Sequence, residues 1–292
     1  MGLSTTSTSR EHLVEDPTAP DIAGLERLAR TLRYRIIENS HRTQTPHLGS
    51  CLSCVDILVA AYFHVLRIDP AKPRDPDRDR FILSKGHGAA ALFQVLATRG
   101  FYPEKWLETY GEDGGVFAEH PPSPDHLAGI EAATGSLGHG LPIGLGMALS
   151  GRIQSRGYRV FALLSDGECN EGSVWEAAML AAAQRVDKLA VIVDFNKWQA
   201  TGRSREVMAL DPLVDKWRAF GWSVCEVDGH DIGALAHALT RVPDGTSKPV
   251  AVVAHTVKGK GVSFMEDDNN WHYRIPNAEE LAAAGKELGV RS

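Results

Sequence analysis

Asp166 and Asn196 lie 30 positions apart, and each follows shortly after an apolar run, residues 158–164 before the first and 189–193 before the second. One carboxylate and one amide carbonyl are hard oxygen donors, a pair that suits Mg²⁺ or Ca²⁺. An octahedral ion held by two such groups keeps free positions for the oxygens of a diphosphate. Gly167, beside Asp166, lets backbone amides come close to those oxygens. A lone Asp-Gly also reads as an ordinary helix-capping turn, so the spacing of the two positions carries the reading, not the dipeptide.

The elements that must position this pair follow from periodicity. Residues 158–164 form an apolar stretch that runs into the polar turn 165–172, the pattern of a buried strand entering a loop. A helix over 173–186 is predicted from Val174, Ala177, Ala178, Ala181, Ala182 and Val186, and 189–194 is a second, β-branched strand. Two strands joined by one such helix must be parallel. In parallel sheets ligands sit beyond the carboxyl ends of the strands, where Asp166 and Asn196 both fall.

Four histidines stand in polar or glycine-rich connections. His47 falls in a polar connection over 40–53, between an amphipathic helix at 25–40 and a second helix marked by Val55, Leu58, Ala61, Tyr62, Val65 and Leu66. A loop histidine is commonly no more than a solvated side chain. His87 sits in Ser84-Lys85-Gly86-His87-Gly88, between a short strand and a helix, and a helix N-terminus after a glycine-rich turn is an anion site. A capped turn would explain Ser84 and Gly86 as well, though not His87. His120 precedes the segment 129–141, where Gly135, Gly138 and Gly140 either admit a flat ring system to the backbone or simply bend the start of a helix. His272 ends the run Asp268-Asn-Asn-Trp-His272. Upstream, Lys258-Gly-Lys-Gly-Val-Ser has the wrong glycine spacing and ending for a phosphate-binding P-loop.

The remaining segments complete an alternation of strands and helices: a helix between Asp211-Pro212 and Gly221, a strand over 222–227, a helix over 231–242 and a buried strand over 249–255. That is the pattern of a doubly wound α/β domain. With 292 residues, 43% hydrophobic and 23% charged at net charge −6, the chain can bury a sizeable core and offers no basic run for nucleic acid or an anionic membrane. Residues 132–151 are 20 residues without a formal charge, but six glycines, Pro142 and His139 make them a glycine-rich loop leading into a buried helix, not a membrane span. Four cysteines, with one isolated Cys51-x-x-Cys54, are no disulfide framework and point to a reducing cytoplasm. Residues 1–20 read as a disordered tail without a secretory signal, leaving 21–292 as one domain.

The run Asp166-Gly-Glu-Cys-Asn-Glu-Gly172, then a helix, then Asp194-Phe-Asn-Lys-Trp-Gln199 resembles the thiamine-diphosphate motif, in which Asp-Gly is followed about thirty residues later by Asn. More closely, the chain from about Leu25 onward resembles the N-terminal half of transketolases. The resemblance implies a doubly wound, mostly parallel α/β thiamine-diphosphate-binding fold. In it, Asp166, Asn196 and the main-chain carbonyl of Trp198 hold a divalent metal, Mg²⁺ or Ca²⁺, that carries the cofactor diphosphate, with Gly167 against the same group. His87, in Ser-x-Gly-His, contacts the diphosphate; Gly135 and Leu137 meet the aminopyrimidine through main-chain groups. His47 lies beside the reacting substrate, His120 near the thiazolium, and His272, on a closing loop, reaches substrate and diphosphate. Three positions depart from the family pattern: Ser165 and Pro46 stand where glycines are usual, and Tyr273 where a smaller residue is common.

The similarity covers the first half of a transketolase. The half carrying the pyrimidine-binding domain, its ring-protonating glutamate and the basic residues for sugar phosphate is expected on a separate partner chain, in an α₂β₂ assembly, with Glu171 at the subunit contact. The implied activity is that of the N-terminal subunit of a split transketolase, moving a two-carbon ketol unit from a ketose to an aldehyde acceptor. The α subunit of a 2-oxo acid dehydrogenase shares Asp-Gly…Asn, and a degenerate subunit that only binds its partner is a third reading; His87, His120 and His272 speak against the former, intact Asp166, Asn196 and His87 against the latter.

Overall fold

The structure, a computed structural model, describes residues 21–290; the tail expected over 1–20 lies outside them. Five strands form one wholly parallel sheet: β1 (Arg80–Leu83), β2 (Val160–Ser165), β3 (Leu189–Phe195), β4 (Ser223–Asp228) and β5 (Val250–His255), in the order β1-β2-β3-β5-β4. The predicted pairing of the strands before Asp166 and Asn196 is present, with Val160 opposite Leu189 and Ser165 opposite Asp194.

Alternation along the strands decides which layer each residue joins, because successive side chains leave a strand on opposite faces. Phe161, Leu163, Ala190, Ile192, Val250 and Val252 pack on one side with α1 (Ile22–Thr43), α3 (Val55–Ala60), α4 (Ala89–Arg99) and α9 (Ile232–Thr240). Ala162, Leu164, Val191, Val193, Ala251 and Val253 pack on the other with α5 (Gly140–Ile153), α6 (Gly172–Ala183) and α8 (Leu213–Ala219). The middle strands are buried throughout, and each such Val, Leu or Ile stabilises the fold by about 1.5–3 kcal/mol relative to exposure. After β1 and β5 the chain turns to the first layer, and after β2 and β3 to the second. Their carboxyl ends therefore diverge around a crevice, the place where such sheets take ligands.

Two expectations are corrected. The polar connection over 40–53 contains a helix, α2 (Leu48–Ser53), because Leu48, Cys51 and Leu52 recur at helical spacing and are buried among the glycine and serines that masked them. The helix α5 buries only one face, with Leu141, Gly144, Leu145 and Ala148 inward, while Ile143 and Ile153 stay exposed. A last helix, α10 (Ala278–Glu287), was not anticipated. Its capping box is legible in Asn277-x-x-Glu280, where the Asn277 side chain accepts from the Glu280 amide at 2.9 Å and Glu280 accepts from the Asn277 amide at 2.9 Å.

Candidate active site

The four histidines, drawn from segments spread over more than two hundred residues, meet at the carboxyl edge of the sheet. The ring of His47 lies 5.0 Å from that of His272, 5.7 Å from His87 and 6.3 Å from His120, and His87 and His272 are 5.7 Å apart. His47 takes a left-handed backbone conformation, φ +74°, directly before α2, and its amide donates to the carbonyl of His272 at 2.9 Å. That bond fixes the two loops to each other. Trp271, wholly buried, pins the second loop to the core and donates from Nε1 to the Phe264 carbonyl at 2.9 Å. The exposed ring of Tyr273 lies 4.7 Å from His272 and 6.0 Å from His47, so it stands at the mouth of the cluster.

Burial, then the positive charges around them, keeps the rings of His47, His87 and His272 neutral. Desolvation lowers His47 to about 4, aided by His120 and Lys258. It lowers His272 to about 3, aided by Lys258 and His47. His87 is depressed in the same way, with Lys85 the strongest neighbour. Neutral imidazoles can donate to one group and accept from another at physiological pH. The Nδ1 atom of His47 is buried without a hydrogen-bond partner, an orphan that a ligand group would satisfy.

Beneath the histidines runs a buried polar layer. Lys85 and Asp194 are wholly buried and paired, Lys85 also donating to the Ser50 carbonyl at 2.8 Å, and Asp194 accepting from Ser53 Oγ at 2.6 Å and from Thr256 Oγ1. Burial alone would push the Asp194 carboxyl up, but the Lys85 charge and these hydrogen bonds outweigh it and hold it low. Lys258 is almost wholly buried, donates to Asn269 Oδ1 at 2.7 Å and lies 3.0 Å from His272 Nδ1. Desolvation and the Lys85 charge lower it to about 8. No carboxylate among the described residues forms an ion pair with it, so its charge is open to an anionic ligand.

Asp166 and the turn after β3 come together as expected. Asp166 is fully buried, accepts from the Gly167 amide at 2.9 Å and from Ser204 Oγ at 2.8 Å, and also feels the Lys197 amide. No ion pair balances it among the described residues, and desolvation raises it to about 7. Asn196 Oδ1 accepts from the Trp198 amide at 3.0 Å, which ties the two residues together in the turn after β3. No three His, Cys, Asp or Glu side chains converge as a metal centre among the described residues. A cation here would rest on one carboxylate with amide and main-chain oxygens, the donor chemistry of a hard ion.

The glycine segment closes the other side. A Cβ on Gly86 would sit 2.7 Å from the Gly135 amide nitrogen, and one on Gly135, at φ +144°, would sit 2.9 Å from the His120 ring. Only glycine lets these three strands of chain meet, and it leaves backbone exposed to a flat ligand beside His120. Glu168, which sequence reasoning passed over, ties the segment down: buried, it accepts from the Gly138 amide at 2.8 Å, the Ser165 amide at 3.3 Å and Ser84 Oγ. Lys85 and Lys258 were also missed as site residues. Their signal was present, since each follows closely on an apolar strand, but a strand-end lysine is usually a solvated one. Leu137 is half-buried on this segment, its carbonyl 3.0 Å from His139 Nδ1. Glu171 stands apart from the cluster: exposed, it holds the N-cap position of α6 without a capping hydrogen bond from its side chain and lies close to Gly138.

An acidic pocket for a hard cation, a buried cationic lysine and neutral histidines around glycine-lined backbone define a ligand site for a large anionic, ring-bearing group in a doubly wound α/β domain. Residues 25–292 match the family described as transketolase, thiamine diphosphate binding domain, and the chain belongs to that family. It is 39% identical to one subunit of the apulose-4-phosphate transketolase of Phocaeicola vulgatus, over 89% of this chain and 92% of that one. It is 38% identical to the 6-deoxy-6-sulfo-D-fructose transketolase subunit SqwG of a Clostridium species, over 90% and 96%. Among solved structures it resembles the transketolase of Campylobacter jejuni, with TM-score 0.87 and 26% identity, covering 93% of this chain and 44% of that one. The chain thus spans nearly all of its subunit relatives and less than half of a full-length transketolase. No helix among the described residues is long and apolar enough to cross a membrane.

Proposed function

We propose that this chain is the N-terminal subunit of a split transketolase, holding the diphosphate and metal end of thiamine diphosphate and transferring a two-carbon ketol unit together with a separate pyrimidine-binding chain. The observation that carries the reading is the fully buried carboxylate of Asp166, in no ion pair among the described residues and accepting from the Lys197 amide in the Asn196–Trp198 turn. Asp166, Asn196 and the Trp198 carbonyl would hold Mg²⁺ or Ca²⁺. The Gly167 backbone, His87, His272 and Lys258 would meet the diphosphate, and Gly135 and Leu137 the aminopyrimidine. Thiamine diphosphate, when bound, supplies the carbanion chemistry. The protein's part is to bind, orient and exclude water. His47, His120 and His272 would face the sugar, where imidazoles can hold and pass protons on its hydroxyl and carbonyl oxygens.

The two relatives named above, each matched over nearly its whole length and each named as a subunit, support a two-chain enzyme. So does the surface of the second layer: Ile143 and Ile153 on α5 and Met179 and Leu180 on α6 are exposed, Ile153 at 82%. An apolar face of that kind suits a permanent subunit contact, and an α₂β₂ assembly would cover it. Four cysteines, all unpaired and none fully exposed, agree with a cytoplasmic protein.

The test is to combine this chain with its candidate partner, thiamine diphosphate and Mg²⁺, then supply ketose donors and an aldehyde acceptor. Two-carbon transfer requiring both chains is the expected result. Carbon dioxide released from a 2-oxo acid instead would establish the dehydrogenase reading, and association without turnover at any ratio would leave a binding subunit. Within that assay the histidines should separate. His87→Ala should weaken cofactor binding by about tenfold or more, whereas His47→Ala and His120→Ala should lower kcat at saturating cofactor. Equal losses of cofactor affinity in all three would show that the division is wrong.

A further inference from the structure

Gln199 lies in the turn that follows β3, three residues beyond Asn196, with its amide donating to the Gly202 carbonyl at 2.8 Å. Its side chain leaves that turn and reaches back to the end of β2. A Cβ placed on Gly167 would be 2.9 Å from Gln199 Cγ, 3.2 Å from Cδ and 3.5 Å from Oε1, so the glutamine amide is laid directly on Gly167. Its Nε2 is buried and has no hydrogen-bond partner. A buried donor left unmade is costly, and in a native structure it calls for a partner.

We propose that Gln199 is a cofactor-binding residue whose Nε2 donates to a phosphate oxygen of the diphosphate. This rests on the reading above, that the diphosphate lies against Gly167. The chemistry fits the surroundings. Lys258 and a divalent cation already bring positive charge to the group, and a neutral amide satisfies a further oxygen without adding repulsion. The same contact explains why residue 167 is glycine, since any Cβ there would displace the glutamine as well as the ligand.

The experiment measures thiamine diphosphate and thiamine monophosphate binding calorimetrically, with Mg²⁺ and the partner chain present, for the full chain and three variants. Gln199→Leu keeps the shape and removes the donor; Gln199→Glu keeps the size and turns an acceptor toward the anion. The diphosphate should bind about tenfold to a hundredfold more weakly to Gln199→Leu, and more weakly still to Gln199→Glu, with a smaller change for the monophosphate. Asp166→Ala separates the two levels of the reading. If it loses diphosphate binding while both Gln199 variants keep it, water satisfies Nε2 and the assignment to Gln199 falls alone. If Asp166→Ala binds normally, the placement of the diphosphate falls, and Gln199 with it. Equal weakening for both ligands would make Gln199 a residue that only packs the turn, which also overturns the proposal.

Discussion

Asp166→Ala should abolish metal-dependent binding of thiamine diphosphate, a loss of at least about a hundredfold, since even residues that merely support metal ligands cost about 10–100-fold when removed. The fold should survive. Asp166 is a buried carboxylate whose hydrogen-bond partners among the described residues are the Gly167 amide, Ser204 Oγ and the Lys197 amide, so on the proposed reading it serves a cation more than the core. Burial raises it to about 7. The folded pKa lies above the unfolded one, so the ionised group weakens the metal-free protein, and stability should fall as pH rises from about 4 through 7. The alanine variant should lose that dependence. A bound cation reverses the preference, because it favours the ionised form. Cofactor and metal binding near pH 6 should therefore release a proton that binding at pH 8 does not. Above pH 8 the opposite step appears: Lys258, lowered to about 8, should take up a proton when an anion arrives, so affinity should decline again. Calorimetry in buffers of different ionisation enthalpy reads both protons. Unchanged cofactor affinity in Asp166→Ala would sink the metal assignment, and proton release that persists in that variant would move it to another carboxylate.

The layers and the site's framework were legible because both are local signals. Apolar runs that end at Asp166 and near Asn196 fix two strands, and the helix between them fixes that they are parallel. The glycines at 135, 138 and 140 suggested close approach, and the structure shows the neighbours a Cβ would meet there: His120, then Ser173 with Glu171, then Ser84. What sequence could not show is which charged residues turn inward. Lys85, Lys258, Asp194 and Glu168 each sit beside an apolar strand end, where most charged residues face water; here Glu168 meets Ser84 across 84 positions, Asp194 meets Lys85 across 109 and Ser53 across 141, and Lys258 packs on Gly49. Short elements hid for a related reason. Six residues of α2 carry too little periodicity to stand out among glycine and serines, and only packing under the histidines makes them helical. The exposed half of α5 was invisible too, since an apolar helix reads the same whether its second face meets this chain or another.

Lys85→Met should destabilise the fold by about 3–5 kcal/mol, the usual cost of stripping one partner from a buried ion pair. Both members are fully buried, and no other cation pairs with Asp194 among the described residues. That is a large share of the roughly 5–15 kcal/mol available to a domain. The pH dependence distinguishes an orphaned charge from a lost contact. In the native chain Lys85 and its hydrogen-bonding neighbours hold Asp194 low despite burial, so the pair's contribution is present above the ordinary carboxylate range and lost as pH falls through the folded value. In Lys85→Met burial, the largest influence on Asp194, is opposed only by hydrogen bonds such as those from Ser53 and Thr256 and drives its pKa up, so the penalty should grow as pH rises and shrink near pH 5, where the carboxyl can protonate. Urea unfolding at pH 5 and pH 8 measures the difference. Adding Asp194→Asn removes the stranded charge, and the double variant should recover part of the loss at pH 8. Cofactor binding should follow, because the Asn196 side chain leans on the same carboxylate, Nδ2 to Asp194 Oδ2 at 3.5 Å. A Lys85→Met protein with equal destabilisation at both pH values would mean that the lysine stem, and not its charge, holds the carboxyl ends of β1 and β3 together.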